Sequence, residues 1–390
     1  MRLVLMGDLH YHNVDESIPG WRDARDRFYG ALLERFLEIE ADWHISLGDL
    51  TNFGSPAELE GVFGLIRRKD RRFVHVLGNH DLYAMPRDFV LGAGGGERYH
   101  AVETDEAVLA FLDTARELNR RDWSGHVDDA QLLWLESVVR ASDSRPLLVF
   151  AHHPVYNTTE RSTEPKGSIV PEVDIRGILE MKRGVGIYFN GHTHVESIAR
   201  EGNWTFVQLA ACLDVPSFRL VTVEKGEIRI DAVDFDDEAL NADAAFLHRY
   251  MPHFAPREEA RGDAADRNAR VSIATAPSTP VSTVTLALSV ASGRSDRRRT
   301  GHGCDRRPRT DDLSTTTISI PTNGGGACAV SERPRTRPTV GHAHLRGALL
   351  RGEVERAVPA EPGEGPDRPV GGVRPADPDR LRPRPRARQG

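Results

Sequence analysis

The sequence predicts a mixed α/β fold, with two packed sheets between helices, followed by a tail of different character. Three observations predict it. Short apolar runs recur at 3–6, 44–47, 73–77, 147–151 and 186–190 without strict alternation, as strands covered on both faces do. Segments of helical periodicity separate these runs, and that alternation implies βαβ units with mainly parallel pairing. Two later pairs of β-rich runs are each joined by a short turn containing glycine.

Taken in order, the helices have readable starts and faces. Phe28, Leu32, Phe36 and Ile39 line one face of a helix over 22–40. Ser55-Pro56-Ala57-Glu58 reads as a capping box with proline at the first helical position, and Leu59, Val62 and Ile66 follow at helical spacing. Asp128-Asp129-Ala130-Gln131 opens a third helix, with Leu132, Leu135 and Val139 on one side. Glu201-Gly202-Asn203 joins 197–200 to 204–209, and Glu224-Lys225-Gly226 joins 218–223 to 228–232, as hairpins. The glycine-rich stretch 91–96 lacks the Lys-Ser/Thr ending of a phosphate-binding loop and reads as a flexible loop.

Composition breaks near residue 255. All 26 aromatic residues (14 Phe, 7 Tyr, 5 Trp) lie at or before Phe254, and 15 of the 24 prolines lie beyond it. Up to residue 255 there are 27 basic and 42 acidic side chains, net −15; the remainder has 24 Arg against 16 acidic residues, net +8, and the two sum to −7. The expected organisation is a folded domain over 1–240 and a low-complexity Arg/Pro/Gly-rich tail over 241–390, disordered for want of apolar residues to bury. Only 281–290 in that tail carries strand-like β-branched residues. The acidic body argues against a nucleic-acid-binding surface there, while the basic tail leaves a weak contact with nucleic acid or acidic partners open. The N-terminal apolar run is too short for a signal peptide or a membrane span, and Cys212, Cys304 and Cys328 are too widely spaced for a zinc cluster or a disulfide framework. A cytoplasmic location without membrane contact is the expectation.

Ligands in open α/β sheets gather outside the carboxyl ends of the strands. Past each apolar run here comes a polar element of metal-ligand type: Asp8-Leu9-His10, Gly48-Asp49, Gly78-Asn79-His80-Asp81, His152-His153-Pro154 and Gly191-His192-Thr193-His194. One such element alone is usually a turn beside a surface histidine. Five at successive strand ends are a site. The donors are oxygen and imidazole with no sulfur, a set that suits Mn, Fe or Zn better than Ca²⁺ or Mg²⁺ alone. They exceed what one tetrahedral ion needs, and two ions sharing a carboxylate at roughly 3.5–4 Å would use them all.

In that order and content the five elements resemble the motif blocks of calcineurin-like metallophosphoesterases, over roughly residues 1–235. The resemblance implies an α/β; four-layer α/β/β/α sandwich with two mixed β-sheets (metallophosphoesterase fold) and a centre of two divalent metal ions. Carried over by position, Asp8, His10, Asp49 and His194 would hold one ion, and Asp49, Asn79, His152 and His192 the other. His152 is preferred to His153 because the family ligand lies two residues before the proline; His153 is left between a supporting or substrate-facing role and a structural one.

The implied activity is hydrolysis of small phosphate esters, phosphodiesters before monoesters, of cyclic nucleotide or glycerophosphodiester type. Two adjacent cations lower the pKa of a shared water and orient the ester for in-line displacement. His80 is the expected proton donor to the leaving alkoxide or stabiliser of the phosphoryl charge, with Asp81 orienting its imidazole. The segment 158–171 is expected to form a rim on the substrate side, and His12 and Asn13 are read as surface residues. Two alternatives stand beside this reading: a DNA-repair-type nuclease, which the acidic body disfavours, and a scaffold that keeps the fold without catalysis.

Overall fold

Strands covered on both faces must be apolar throughout, and the predicted runs behave so. A computed structural model describes residues 1–252 and 254–273. The elements run β1 (Arg2–Met6), α1 (Trp21–Glu38), β2 (Trp43–Ser46), α2 (Pro56–Ile66), β3 (Phe73–His75), α3 (Arg87–Gly94), β4 (His100–Glu103), β5 (Val108–Phe111), α4 (Asp129–Ser142) and β6 (Leu147–Phe150). They continue through α5 (Ile175–Glu180), β7 (Gly186–Asn190), β8 (Ser197–Glu201), β9 (Trp204–Gln208), β10 (Ser217–Glu224), β11 (Glu227–Asp234), α6 (Glu238–Tyr250), α7 (Ala264–Arg267) and β12 (Ala269–Ser272).

Two mixed sheets of six strands form, in the orders β12-β11-β10-β1-β2-β3 and β4-β5-β6-β7-β9-β8. β1, β2 and β3 run parallel, as do β5, β6, β7 and β9. Both expected hairpins are present, Ser197 opposite Gln208 and Phe218 opposite Val233. Side-chain alternation sorts the core into layers. Leu3 and Leu5 of β1 face the other sheet, together with Ile45, Phe150, Phe189, Val221 and Ile230. Val4 and Met6 face α1, α2 and α6 with Phe28, Leu59 and Leu247. On the far side Val149 and Tyr188 meet Leu135 and Val139 of α4 and Ile178 of α5. The result is the four-layer α/β/β/α sandwich. Between the sheets, Phe111, Phe150 and Phe189 stack in a ladder at centroid spacings of 4.9 and 5.3 Å, which ties β5, β6 and β7 in register.

Local chemistry starts the helices as read. Ser55 and Glu58 close a reciprocal capping box on α2, and Asp128 caps α4 through the Gln131 amide. Residues 91–96 depart from expectation. Leu91 to Gly94 complete α3, and left-handed Gly95 (φ 67°) ends it. A glycine run that is an interior turn of helix followed by its C-terminal cap carries no local signal separating it from a loop.

The folded elements also continue past residue 240, which lies inside α6. Leu240, Ala244 and Leu247 bury one face of that helix in the α1 layer, Arg27 pairs with Asp243 at 2.5 Å, and β12 adds to the edge of the first sheet. A buried ion cluster secures the segment that follows. Glu196 accepts from Arg219 at 2.6 Å, from Arg267 at 2.5 Å and from the Gly262 amide at 3.2 Å. Arg267 also grips Asp234. The run 281–290 and the Arg/Pro/Gly-rich remainder lie outside the described residues. Among the described residues no helix is long and apolar enough to cross a membrane.

Glu196 thus neutralises two buried guanidinium groups. Glu196→Ala leaves the buried Arg219 without a carboxylate and Arg267 with Asp234 alone, and is expected to lower unfolding stability by about 3–5 kcal/mol, read as a shift in urea midpoint at constant m-value. A loss under about 1 kcal/mol would mean that the cluster does not hold the C-terminal segment.

Candidate metal centre

Each predicted donor sits where a strand ends and the chain turns. Asp8 and His10 follow β1, Asp49 follows β2, Asn79 and His80 follow β3, His152 follows β6, and His192 and His194 follow β7. The site therefore draws on the carboxyl ends of strands from both sheets. The turns are strained: His10 (φ 52°), Asp49 (φ 46°), His192 (φ 74°) and His194 (φ 61°) all adopt left-handed backbone. Such residues cost roughly 1–3 kcal/mol each, so the surrounding fold must hold them there. Gly78 and Gly191 allow the close approach. A Cβ on Gly78 would overlap the Asp49 carboxylate, and one on Gly191 would overlap that of Asp8.

The seven donor side chains converge. Asp8, His10, Asp49 and His194 place one ligand atom each within 4.8 Å of one another. His10 Nε2 and His194 Nε2 are 3.0 Å apart, with Asp49 Oδ2 3.8 Å from the first and Asp8 Oδ1 3.6 Å from the second. Around His152 a second group gathers. Its Nε2 lies 3.0 Å from Asn79 Oδ1, 3.2 Å from His192 Nδ1 and 3.3 Å from Asp49 Oδ2. Asp49 stands between the groups.

Hydrogen bonds fix which nitrogen faces inward. His152 Nδ1 donates to the Leu47 carbonyl at 2.9 Å, and His192 Nε2 donates to the Lys166 carbonyl at 2.9 Å, which leaves His152 Nε2 and His192 Nδ1 toward the site. Tyr83 accepts from Asn79 Nδ2 at 2.8 Å and so turns Asn79 Oδ1 toward His152. His153 is spent elsewhere, with Nδ1 on Thr114 Oγ1 at 2.8 Å and Nε2 on the Trp123 carbonyl at 2.9 Å. It is close enough to join a His152–His153–His192 cluster, but both of its ring nitrogens are engaged.

Electrostatics follow from this crowding. Burial pushes the His10 imidazole well below its usual range, helped by His80 and His194, and pushes His192 down to about 3, helped by His152. Both are held in the neutral form that binds metal. Burial also opposes charge on His152, but the Asp49 and Asp8 carboxylates overcome it and hold that imidazole up at about 9. For Asp49, burial favours the neutral acid, yet His152 and His80 keep it well below the usual carboxylate range. Asp8 is raised, chiefly by burial. Oxygen and imidazole groups thus crowd around one strongly acidic carboxylate. The two His/Asp clusters fit a dimetal site, because buried oxygen and imidazole ligands converge in two groups with Asp49 between them.

His80 and Asp81 part company. The His80 amide donates to Asp49 Oδ1 at 2.8 Å, its Nδ1 donates to the Asn52 carbonyl at 2.6 Å, and its Nε2 lies 4.0 Å from Asp49 Oδ2. Asp81 does not orient the imidazole. It accepts from the Gly78 amide and from the amide and hydroxyl of Thr51, each at 2.9 Å, and faces His75 Nε2 at 3.2 Å. The expectation for Asp81 is corrected on that ground: neighbours in a 3-10 turn (His80–Leu82) point apart, and the carboxylate satisfies loop amides instead.

His12 is likewise not at the surface. It is 2% exposed, accepts from Trp21 Nε1 at 2.7 Å, and meets at 3.1 Å the Tyr29 hydroxyl, which donates to the His10 carbonyl at 2.6 Å. Other supports carried no motif. Asp214 lies 3.6 Å from His194 Nδ1 and 3.4 Å from His248 Nε2. Phe254 packs among His10, His194 and His248 at centroid distances of 5.1, 5.1 and 5.3 Å. A cavity of about 530 Å³ opens on the donors; Asn79, His80, His192 and His194 line it with Tyr83 and Trp123. Arg161, Glu164 and Gly167, from the expected rim, line it too.

The calcineurin-like phosphoesterase family matches residues 1–196. A probable cyclic nucleotide phosphodiesterase of Rhodopseudomonas palustris is 25% identical over 204 residues, 50% of this chain and 72% of that protein. The crystal structure of a dimetal phosphatase from Danio rerio superposes with a TM-score of 0.50 at 16% identity, over 60% of this chain and 96% of that one, a likeness of fold.

Two expectations follow from the supports. Asp81→Asn removes one acceptor from a buried set and is expected to cost about 1–3 kcal/mol of stability, while kcat per metal-loaded molecule stays within about tenfold of wild type. A large fall in kcat with unchanged melting temperature would restore Asp81 to a role through His80. Burial pushes the His12 imidazole down to about 4. The unfolded chain takes up that proton near pH 6.5 while the folded chain does not, so stability is present above 6.5 and falls as pH drops toward 4. In metal-free protein this histidine accounts for a loss on the order of 3 kcal/mol across that window. His12→Gln should reduce the slope of stability against pH by about one proton; an unchanged slope would show that His12 is charged in the folded state.

Proposed function

The chain belongs to the calcineurin-like phosphoesterase family, and from that premise we propose that it is a binuclear metal-dependent phosphodiesterase acting on small esters of cyclic nucleotide or glycerophosphodiester type. The observation that carries this reading is the convergence of seven donors, divided about Asp49, at the floor of a cavity large enough for an ester with organic groups on both sides. The name of the Rhodopseudomonas relative supports the cyclic nucleotide type. Tyr83 and Trp123 on the cavity wall offer flat faces to a base or another organic group.

In this reading Asp8, His10, Asp49 and His194 hold one divalent ion, and Asp49, Asn79, His152 and His192 the other, with Mn, Fe or Zn as the pair. When bound, the ions activate water for in-line attack and neutralise phosphoryl charge. The chain's own residues do the rest. The Leu47 and Lys166 carbonyls keep His152 and His192 in one tautomer each, and Tyr83 aims the Asn79 amide oxygen. His80, whose Nδ1–H is taken by the Asn52 carbonyl, would serve the leaving alkoxide from Nε2: as the imidazolium it would give up the Nε2 proton as the ester bond breaks and end neutral.

The test is metal analysis of protein purified without chelator, followed by a panel of mono- and diesters with Mn²⁺, Fe²⁺ or Zn²⁺. About two equivalents of metal and faster turnover of diesters than monoesters are expected. Less than one equivalent would favour a scaffold. His80→Ala should keep metal stoichiometry and lower kcat on an alkyl diester by about 10²–10⁴. Undiminished turnover of that substrate would remove His80 from proton transfer.

A further inference from the structure

The segment after α6 crosses the mouth of the metal centre, outside the residues that the family matches. Its Phe254 ring stacks on His194 on one side and on His248 on the other, and is 7% exposed. Its backbone is fixed three residues later, where the Arg257 amide donates to Asp214 Oδ1 at 3.2 Å; the other oxygen of that carboxylate lies 3.6 Å from His194 Nδ1. One carboxylate therefore sets the position of Arg257 against a donor of the centre.

Arg257 lines the cavity with His192, Thr193 and His194. Its Nε is buried and has no hydrogen-bond partner, and no carboxylate among the described residues pairs with its guanidinium. Neighbouring arginines are engaged. Arg261 pairs with Asp234 at 2.8 Å, Arg267 pairs with Glu196, and Arg270 pairs with Asp231 at 2.7 Å. The other two arginines on the cavity wall have work of their own: Arg161 pairs with Glu164 at 2.6 Å, and Arg120 lies over the Phe53 and Tyr83 rings at 4.8 and 5.9 Å. A guanidinium held by its backbone in an open cavity, with an unmet buried donor, is a receptor for an anionic oxygen.

We propose that Arg257 is a substrate-binding residue, supplied by the C-terminal segment, that takes an anionic oxygen of the bound phosphate ester. This rests on the phosphoesterase reading for the identity of the ester, but not for the presence of the anion site. The consequence is a division of labour: strand-end loops bind metal, and the later segment adds affinity for the anion.

The experiment uses the full chain loaded with Mn²⁺ and inorganic phosphate as probe, titrated calorimetrically. Arg257→Gln is expected to raise the phosphate Kd by about tenfold or more, with Arg257→Lys recovering part of the loss and metal content and melting temperature unchanged. Arg261→Gln removes the same charge from the same segment outside the cavity and should leave the Kd within about twofold. Where wild type turns over an ester, Arg257→Gln should raise KM with little change in kcat. A phosphate Kd that moves less than about twofold in Arg257→Gln, or a wild-type protein that binds no phosphate, overturns the inference. Ester turnover by wild type is scored separately. Loss of phosphate affinity in Arg257→Gln without any wild-type turnover would sink the phosphodiesterase reading and leave the anion site standing; turnover with unaltered phosphate affinity would do the reverse.

Discussion

Asp49 is the point on which the structure turns. Its carboxylate lies between two sets of imidazoles, accepts the His80 amide, and leaves Oδ2 facing His10 and His152. Bringing two buried carboxylates and four imidazoles this close is unfavourable, because each group gives up water and the two carboxylates repel. Rigid backbone prevents relaxation. Four of the donors are left-handed, Gly78 and Gly191 leave no space behind the carboxylates, and the His80 and His192 amides point at Asp49 and Asp8. Local strain and electrostatic cost are then carried by the inter-sheet core, in which apolar side chains of both sheets interlock. A cation that binds only this arrangement stabilises it by mass action, so metal affinity and fold stability are linked.

The two-sheet architecture explains why this centre needs a large domain. Donors from β1, β2 and β3 belong to one sheet, and those from β6 and β7 to the other. Their spacing therefore depends on how the sheets pack. The Phe111–Phe150–Phe189 ladder and Leu3, Leu5 and Leu47 set that packing. A lost methylene there would shift one half of the site against the other, since packed interiors transmit displacement rather than absorb it.

Much of this was legible in the sequence, and what was missed has physical reasons. Strands buried on both faces announce themselves as apolar runs, and strand-end donors stand out against them. β5 carries an unbroken apolar run, Ala107–Leu112, but no ligand-type motif follows it to draw notice, and β4 was missed because only Ala101 and Val102 of its four residues are apolar. The segment over 241–273 looked like tail because it buries only one face of α6 and isolated residues such as Phe254 and Ala260, so its average composition is polar. Asp81 was misassigned because adjacency in sequence was taken for adjacency in space. The group that orients His80 is the Asn52 carbonyl, and a backbone oxygen leaves no trace in residue identity. Asp214 stands in no motif; only the fold brings it to His194.

That last contact bears on how the two parts of the chain cooperate. Asp214 faces His194, His248 and the Arg257 amide together, so the carboxylate that steadies a donor of the centre also positions the segment above it. Asn52, whose carbonyl holds His80, donates from its side chain to the Pro252 carbonyl at 3.1 Å. The C-terminal segment is thus fastened to the loops on both sides of the centre rather than draped over it. The hold on the Arg257 amide matters for a guanidinium meant to meet an anion: the entropy of placing its backbone is already spent on folding, and only the side chain remains to be ordered when an ester binds.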